Sequence, residues 1–214
     1  MKKFILVFTI LFFANQAFAF TPPNIPVEIA IYKLKTGNER FVDYKMKHPD
    51  ITKERREKLV NGQHPFAVIL ACSDSRIVPE IIFDQGLGDI LVIRTPGNIL
   101  DDNALGTIQY AIKNFGVNLV IVMGHESCDV VGAAIKDEKP GEAFESIKNA
   151  IKPAILKCST KNKYSFDNVI RTNTQLAVNI LLENKEIAEY SKRHDIKILP
   201  AYYNIGTGKV EFLK

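Results

Sequence analysis

The run Phe66-Ala67-Val68-Ile69-Leu70-Ala71-Cys72-Ser73 is apolar almost throughout and of strand length. It shows no alternation of polar and apolar residues. A strand of this kind is buried on both faces, as in a parallel sheet covered by helices. It runs into a polar knot, Cys72-Ser73-Asp74-Ser75-Arg76. Open α/β sheets place their chemistry at the carboxyl ends of such strands. Alternate side chains of an extended segment share a face. Cys72, Asp74 and Arg76 are therefore expected on one side of the chain, a soft metal ligand beside a carboxylate and a guanidinium.

The chain around this run alternates between strand and helix patterns. Further strands are expected at Asp89–Arg94, Leu119–Gly124 and Lys197–Ile205, with Gly206-Thr207-Gly208 turning into a hairpin strand over Lys209–Leu213. Val78–Asp84 reads as a short helix or turn, and Thr95–Asn98 as a loop. Helices are expected over Asn103–Phe115, with Leu105, Ile108, Ile112 and Phe115 along one face, and over Asp129–Asp137, Ala143–Leu156 and Phe166–Tyr190. Strands separated by helices imply an α/β fold with a parallel sheet and right-handed crossovers. A strand order of 2-1-3-4, plus the hairpin strand, would put the ends of the first and third strands side by side at a crevice.

Ahead of the sheet lies an N-terminal arm, residues 20–60. Thr21 to Pro26 is proline-rich and extended. Val27 to Lys47 carries loosely helical spacings interrupted at Gly37-Asn38, which predicts two short helices with a joint. Ile51–Val60 reads as a charged helix capped near Thr52 and ended by Asn61-Gly62.

The first 19 residues have a separate logic. Met1-Lys2-Lys3 is basic, Phe4 to Ala14 is almost wholly apolar, and Ala17-Phe18-Ala19 carries small residues at the two spaced positions read by a signal peptidase. This pattern predicts a signal peptide cleaved after Ala19. Residues 20–214 would then form one exported domain, periplasmic or secreted, with no membrane attachment. The apolar run is shorter than the roughly 20 residues of a spanning helix.

The net charge of +4 includes Lys2 and Lys3, and no basic stripe appears, which argues against a nucleic-acid partner. Three cysteines are too few for a disulfide scaffold. In an oxidising compartment free thiols tend to pair. Cys72, Cys128 and Cys158 are odd in number, and a bound metal would protect those that ligate it.

The third strand ends in a second knot, Gly124-His125-Glu126-Ser127-Cys128. The expected topology brings Cys72 to His125 and Cys128. Zinc takes two thiolates and one imidazole tetrahedrally, with the fourth position open for water or substrate. Cys128 also precedes a helix, whose N-terminal dipole favours a thiolate. Cys158 lacks such partners and reads as structural.

Cys72-Ser73-Asp74-Ser75-Arg76 and His125-x-x-Cys128, joined by Arg94-Thr95-Pro96-Gly97-Asn98, resemble the β-class carbonic anhydrases. Gly37-Asn38-Glu39-Arg40-Phe41, Gly62-Gln63-x-Pro65, Asn168-Val169 with Gln175, and Tyr203-Asn204-Ile205-x-Thr207-Gly208 extend the similarity over nearly all of residues 20–214. The resemblance implies reversible hydration of carbon dioxide to bicarbonate and a proton by a zinc-held hydroxide. It implies that Cys72, His125 and Cys128 bind zinc. It implies that Asp74 accepts a hydrogen bond from the nucleophile while Arg76 holds Asp74 off the metal; in some members the aspartate replaces the water as a ligand in a closed, inactive form, which would make Asp74 a ligand in that form only. Gln63 aligns with a glutamine that points at substrate, and Leu91 with a pocket position often aromatic in the family. It further implies a homodimer or homotetramer with the site at the interface and the N-terminal helices clasping a neighbour.

The chain departs from the family at three places. Leu91 alters the pocket wall, Thr95-Pro96 replaces the usual loop pair, and Asp129 stands where glycine is common. The added carboxylate of Asp129 either hinders bicarbonate release or faces solvent. His64, His48 and His194 are candidate proton shuttles or exposed bystanders. Three rival readings remain. The same scaffold could act on another small heterocumulene such as carbon disulfide. A non-catalytic zinc protein would be expected to lack the Asp74–Arg76 pair. A thiol oxidoreductase would favour a Cys-x-x-Cys pair, and the chain has none.

Overall fold

The computed structural model describes residues 25–159 and 165–213. The expected signal peptide and most of the extended arm from Thr21 lie outside them. The core is a five-stranded sheet of order β2-β1-β3-β4-β5, built from β1 (Ala67–Cys72), β2 (Ile90–Thr95), β3 (Leu119–His125), β4 (Lys197–Tyr203) and β5 (Val210–Phe212). The first four are parallel, and β5 pairs antiparallel with β4. This is the architecture expected from the alternation of strand and helix, with the hairpin in its expected place.

The central strands β1 and β3 are buried at every position. Their side chains alternate between two cores. Ala67, Ile69, Leu119, Ile121 and Met123 face one core, and Val68, Leu70, Val120 and Val122 face the other. That double burial is why these runs carry no polar alternation. The first core is covered by α1 (Val27–Val42), α3 (Pro79–Ile82), α5 (Asp129–Ile135) and α6 (Phe144–Cys158). The second is covered by α4 (Asp102–Phe115) and α8 (Lys185–Ser191). Helix α7 (Phe166–Glu183) gives Val169 and Ile170 to the first and Ala177, Val178 and Leu181 to the second. The charged α2 (Lys53–Leu59) buries no residue, and Thr52 caps it by accepting from the Arg55 N–H.

Two expectations are corrected. The region from Val27 is one continuous helix, with no joint at Gly37-Asn38. Those residues form its packing face. A Cβ on Gly37 would lie 1.8 Å from the Phe83 carbonyl oxygen. Asn38 is buried and donates to the carbonyls of Ile82 and Gly208, while its own oxygen accepts from Val210 N–H. Glycine here serves close approach of two backbones, which looks the same in sequence as a breaker. The long helix expected over Phe166–Tyr190 is two helices. The chain breaks at Asn184, whose side chain accepts from the N–H groups of Glu186 and Ile187 and so starts α8. Among the described residues no helix is long and apolar enough to cross a membrane.

Candidate metal centre

Parallel pairing of β1 with β3 carries both polar knots to the same edge of the sheet. The Cys72, His125 and Cys128 ligand atoms all lie within 4.8 Å of one another, and all three residues are buried. The two sulfurs are 3.9 Å apart. Thiolates at two vertices of a tetrahedral zinc, each about 2.3 Å from the ion, stand about 3.8 Å apart.

The imidazole is set up for the same role. His125 Nδ1 donates to the backbone carbonyl of Glu126 at 2.9 Å, which leaves the lone pair on Nε2. That Nε2 is buried without a hydrogen-bond partner. An orphaned buried acceptor facing two sulfurs is costly unless something coordinates it. The donor set, its spacing and this orphan atom together fit a zinc ion.

The sulfurs are electrostatically prepared. Cys72 accepts from the N–H groups of Gly97 at 3.3 Å and Asp74 at 3.4 Å. Pairing with Cys128 lowers the Cys72 thiol most, to about 4, against the opposing effect of burial, and His125 adds to it. The same pairing and burial push Cys128 up. The pair thus readily holds one negative charge, and a dication is what would draw off the second proton.

Asp74 stands over this set, its Oδ2 3.9 Å from His125 Nε2. Arg76 grips both of its oxygens. Nε donates to Oδ1 at 2.9 Å, Nη2 donates to Oδ2 at 2.5 Å, and the Arg76 N–H donates to Oδ1 at 2.9 Å. The guanidinium hydrogen bonds hold the Asp74 carboxyl at about 2, well below its ordinary value and against the effect of burial. Asp74 is therefore an acceptor throughout the working pH range. It sits in the arginine-clamped position, outside the ligand set.

Several supports have partners that the sequence did not assign. Arg94, at the end of β2, donates to the carbonyls of Cys72 at 3.2 Å and Asp74 at 2.5 Å, tying down the backbone on either side of Ser73. Gly97 has φ 62°, a left-handed conformation that aims its N–H at Cys72, and Asn173 of α7 donates to its carbonyl at 2.9 Å. Thr95-Pro96 keeps this turn, with Thr95 Oγ1 donating to Ile99 O at 2.7 Å. Gly124 leaves room for α7: a Cβ there would lie 2.5 Å from Thr174 Oγ1. Cys158 donates to Thr172 Oγ1 at 3.0 Å, consistent with its structural reading. The signal for the turn was present in Arg94-Thr95-Pro96-Gly97-Asn98. Nothing in the sequence alone says which carbonyls Arg94 would reach.

Two expected substrate contacts are not brought to the metal set within one chain. Gln63 is exposed in the link before β1, and Leu91 is the second residue of β2, paired with Val68. Both lie towards the amino edge of the sheet, whereas Cys72 leaves at the carboxyl edge. Six strand residues span about 20 Å. The cleft over the metal set, about 250 Å³, is instead lined by Cys72, Asp74, Arg76, Cys128, Asp129 and Val130, with Ser73 and Ser75. His48, His64 and His194 do not line it. Asp129 is at its rim, with 89% of the side chain exposed and Oδ2 3.5 Å from Arg76 Nη2.

The fold and this Cys-His-Cys set with its clamped aspartate define an α/β protein with a candidate metal centre at the carboxyl edge of its sheet. The carbonic anhydrase family model matches residues 67–210. The chain is 35% identical over 192 residues to carbonic anhydrase 2 of Mycobacterium tuberculosis (strain CDC 1551 / Oshkosh), covering 87% of this chain and 93% of the relative. It is 35% identical over 198 residues to a carbonic anhydrase of Mycolicibacterium smegmatis, covering 88% and 94%. One of two tetrameric β-carbonic anhydrases from Sordaria macrospora shares the fold, with TM-score 0.68 and 24% identity over 87% of this chain and 97% of that one. The chain belongs to the carbonic anhydrase family and has the fold of the β-carbonic anhydrases.

Proposed function

We propose that this enzyme hydrates carbon dioxide reversibly to bicarbonate and a proton, using a zinc ion held by Cys72, His125 and Cys128. The observation that carries the reading is the clamped carboxylate of Asp74 beside the ligand set. When bound there, zinc would supply Lewis acidity that lowers the pKa of water. Asp74 accepts the nucleophile's hydrogen bond and turns its lone pair towards the carbon. The new C–O bond forms as one C=O electron pair moves onto the oxygen. Arg76 fixes Asp74 for this task, and its depressed pKa keeps Asp74 from taking the proton outright, so the proton leaves to solvent through the open cleft.

Two thiolates cancel more of the ion's charge than three neutral imidazoles would. Water in such a site is acidified less, and activity should rise towards alkaline pH. Stopped-flow carbon dioxide hydration, with zinc quantified in the same sample, tests the reading. Turnover is expected, and zinc-loaded folded protein without turnover would sink it. Turnover of carbon disulfide alone would favour the heterocumulene rival.

The remote positions of Gln63 and Leu91 favour a homodimer or homotetramer in which a second copy brings them to the cleft. Exposed Ile29 and Tyr32 on α1, Val60 just after α2 and Leu87 in the loop before β2 offer apolar surface for that contact. We also propose export to the periplasm, on the strength of the basic, apolar and Ala-x-Ala segments of residues 1–19. Mass spectrometry of exported protein should find Phe20 at its amino terminus.

A further inference from the structure

The cleft carries two carboxylates against one guanidinium. Arg76 Nη2 lies 2.5 Å from Asp74 Oδ2, 3.0 Å from Ser127 O and 3.5 Å from Asp129 Oδ2. Among the described residues lining the cleft, this is the one cationic side chain, and it faces two carboxylates. Arg94 is nearby, but its guanidinium is turned onto the carbonyls of Cys72 and Asp74. Asp74 is matched by the Arg76 fork. Asp129, in the first turn of α5, is left as the surplus charge, on a side chain that is 89% exposed in the chain.

We propose that Asp129 is a specificity-determining residue: its carboxylate at the mouth of the cleft weakens the hold on anions, the bicarbonate product among them, and leaves the entry of neutral carbon dioxide unopposed. This rests on the proposed hydration reaction. Carbon dioxide has no net charge and meets no such barrier. During attack the negative charge moves from nucleophile to product within the cleft, so the step itself is little opposed. What is opposed is an anion arriving from solvent or lingering after the bond has formed. Asp129 therefore speeds the departure of bicarbonate, the reverse of the hindrance that an added carboxylate first suggests. Because an enzyme cannot alter the overall equilibrium, a looser hold on bicarbonate raises its KM and the dehydration kcat together.

Like charges several ångströms apart at a solvated surface change an affinity by about three- to tenfold. Thiocyanate is a suitable probe, a small monovalent anion. Its dissociation constant is measured by titration calorimetry on zinc-loaded wild type, Asp129→Asn and Asp129→Glu, at low salt and in an inert sulfate salt at an ionic strength of about 1 M. Asp129→Asn should bind thiocyanate about three- to tenfold more tightly at low salt, Asp129→Glu should match wild type, and the difference should shrink at high salt, where screening acts within about 3 Å. In bicarbonate dehydration, KM and kcat of Asp129→Asn should fall together. Equal affinities at low salt would overturn the proposal, and so would a difference that salt does not reduce, since that would mark a displaced Arg76. Zinc-loaded wild type that fails to hydrate carbon dioxide would overturn the functional reading instead, while calorimetry would still decide the role of Asp129.

Discussion

Each side chain at the centre has a separable task. Cys72→Ala should lose bound zinc, read by elemental analysis of folded protein. Asp74→Ala should keep the metal while hydration falls by about 10² to 10³-fold, the range for removing one preorganised hydrogen-bonding group. Arg94→Ala touches no ligand atom, yet it frees the carbonyls of Cys72 and Asp74, and zinc affinity should fall by about 10- to 100-fold in a chelator competition. The pH behaviour follows from the direction of the Asp74 shift. Its folded-state value of about 2 is below the ordinary carboxylate value of 3.8. The stabilisation it provides is therefore present above about pH 4 and lost as pH falls through about 2. Wild type should lose more stability than Asp74→Asn between those limits in an acid titration followed by circular dichroism. Arg76 is partly solvated, so the difference should be modest. It also follows that Asp74 contributes no limb to the activity profile between pH 6 and 9. The expected alkaline rise belongs to the nucleophile, and a flat profile over that interval would contradict it.

Among the elements, α1 and the α7–α8 break differ most from what local pattern suggests. Gly37→Ala would drive a Cβ into the Phe83 carbonyl, which is backbone and cannot swing aside. The cost should be about 3 kcal/mol, seen as a melting point lower by roughly 6 to 12 °C. Were α1 jointed there, alanine would instead stabilise it. Asn184→Ala removes the cap of α8 and should cost about 1 kcal/mol by urea titration. Buried Asp84 ties the segment after α1 to α3. Burial opposes its charge, but the N–H groups of Lys47 and His48 and the Arg40 guanidinium outweigh that and hold its carboxyl below the ordinary value. These three elements were legible as helices, but not their partners. A glycine at a close approach and a glycine at a joint carry the same letter, and a capping asparagine inside a long amphipathic pattern is visible only once the chain has turned.

At the scale of the whole molecule, the question is where the substrate pocket is completed. If a second copy presents Gln63, a mixed oligomer of Cys72→Ala and Gln63→Ala chains should regain activity. One of its clefts would combine intact ligands from one chain with the intact glutamine of the other. Refolding the two inactive or weakened variants together and assaying hydration tests this. Activity no higher than the sum of the separate variants would place Gln63 outside the mechanism. Light scattering should give a mass of two or four chains.

The sequence by itself determined the parallel strands, the two polar knots and the three residues that could hold a metal ion. Strands buried on both faces must be continuously apolar, and a parallel sheet sends their ends to one edge. The tertiary structure alone decided which groups act on one another across that edge. It put Arg94 on the carbonyls flanking Ser73, the Gly97 N–H on Cys72, and Asp129 within reach of Arg76, and it sent Gln63 to the opposite edge of its own sheet. Local pattern reports burial and chain direction. Distances between residues far apart in sequence depend on register and crossing geometry, which are set only when the layers pack.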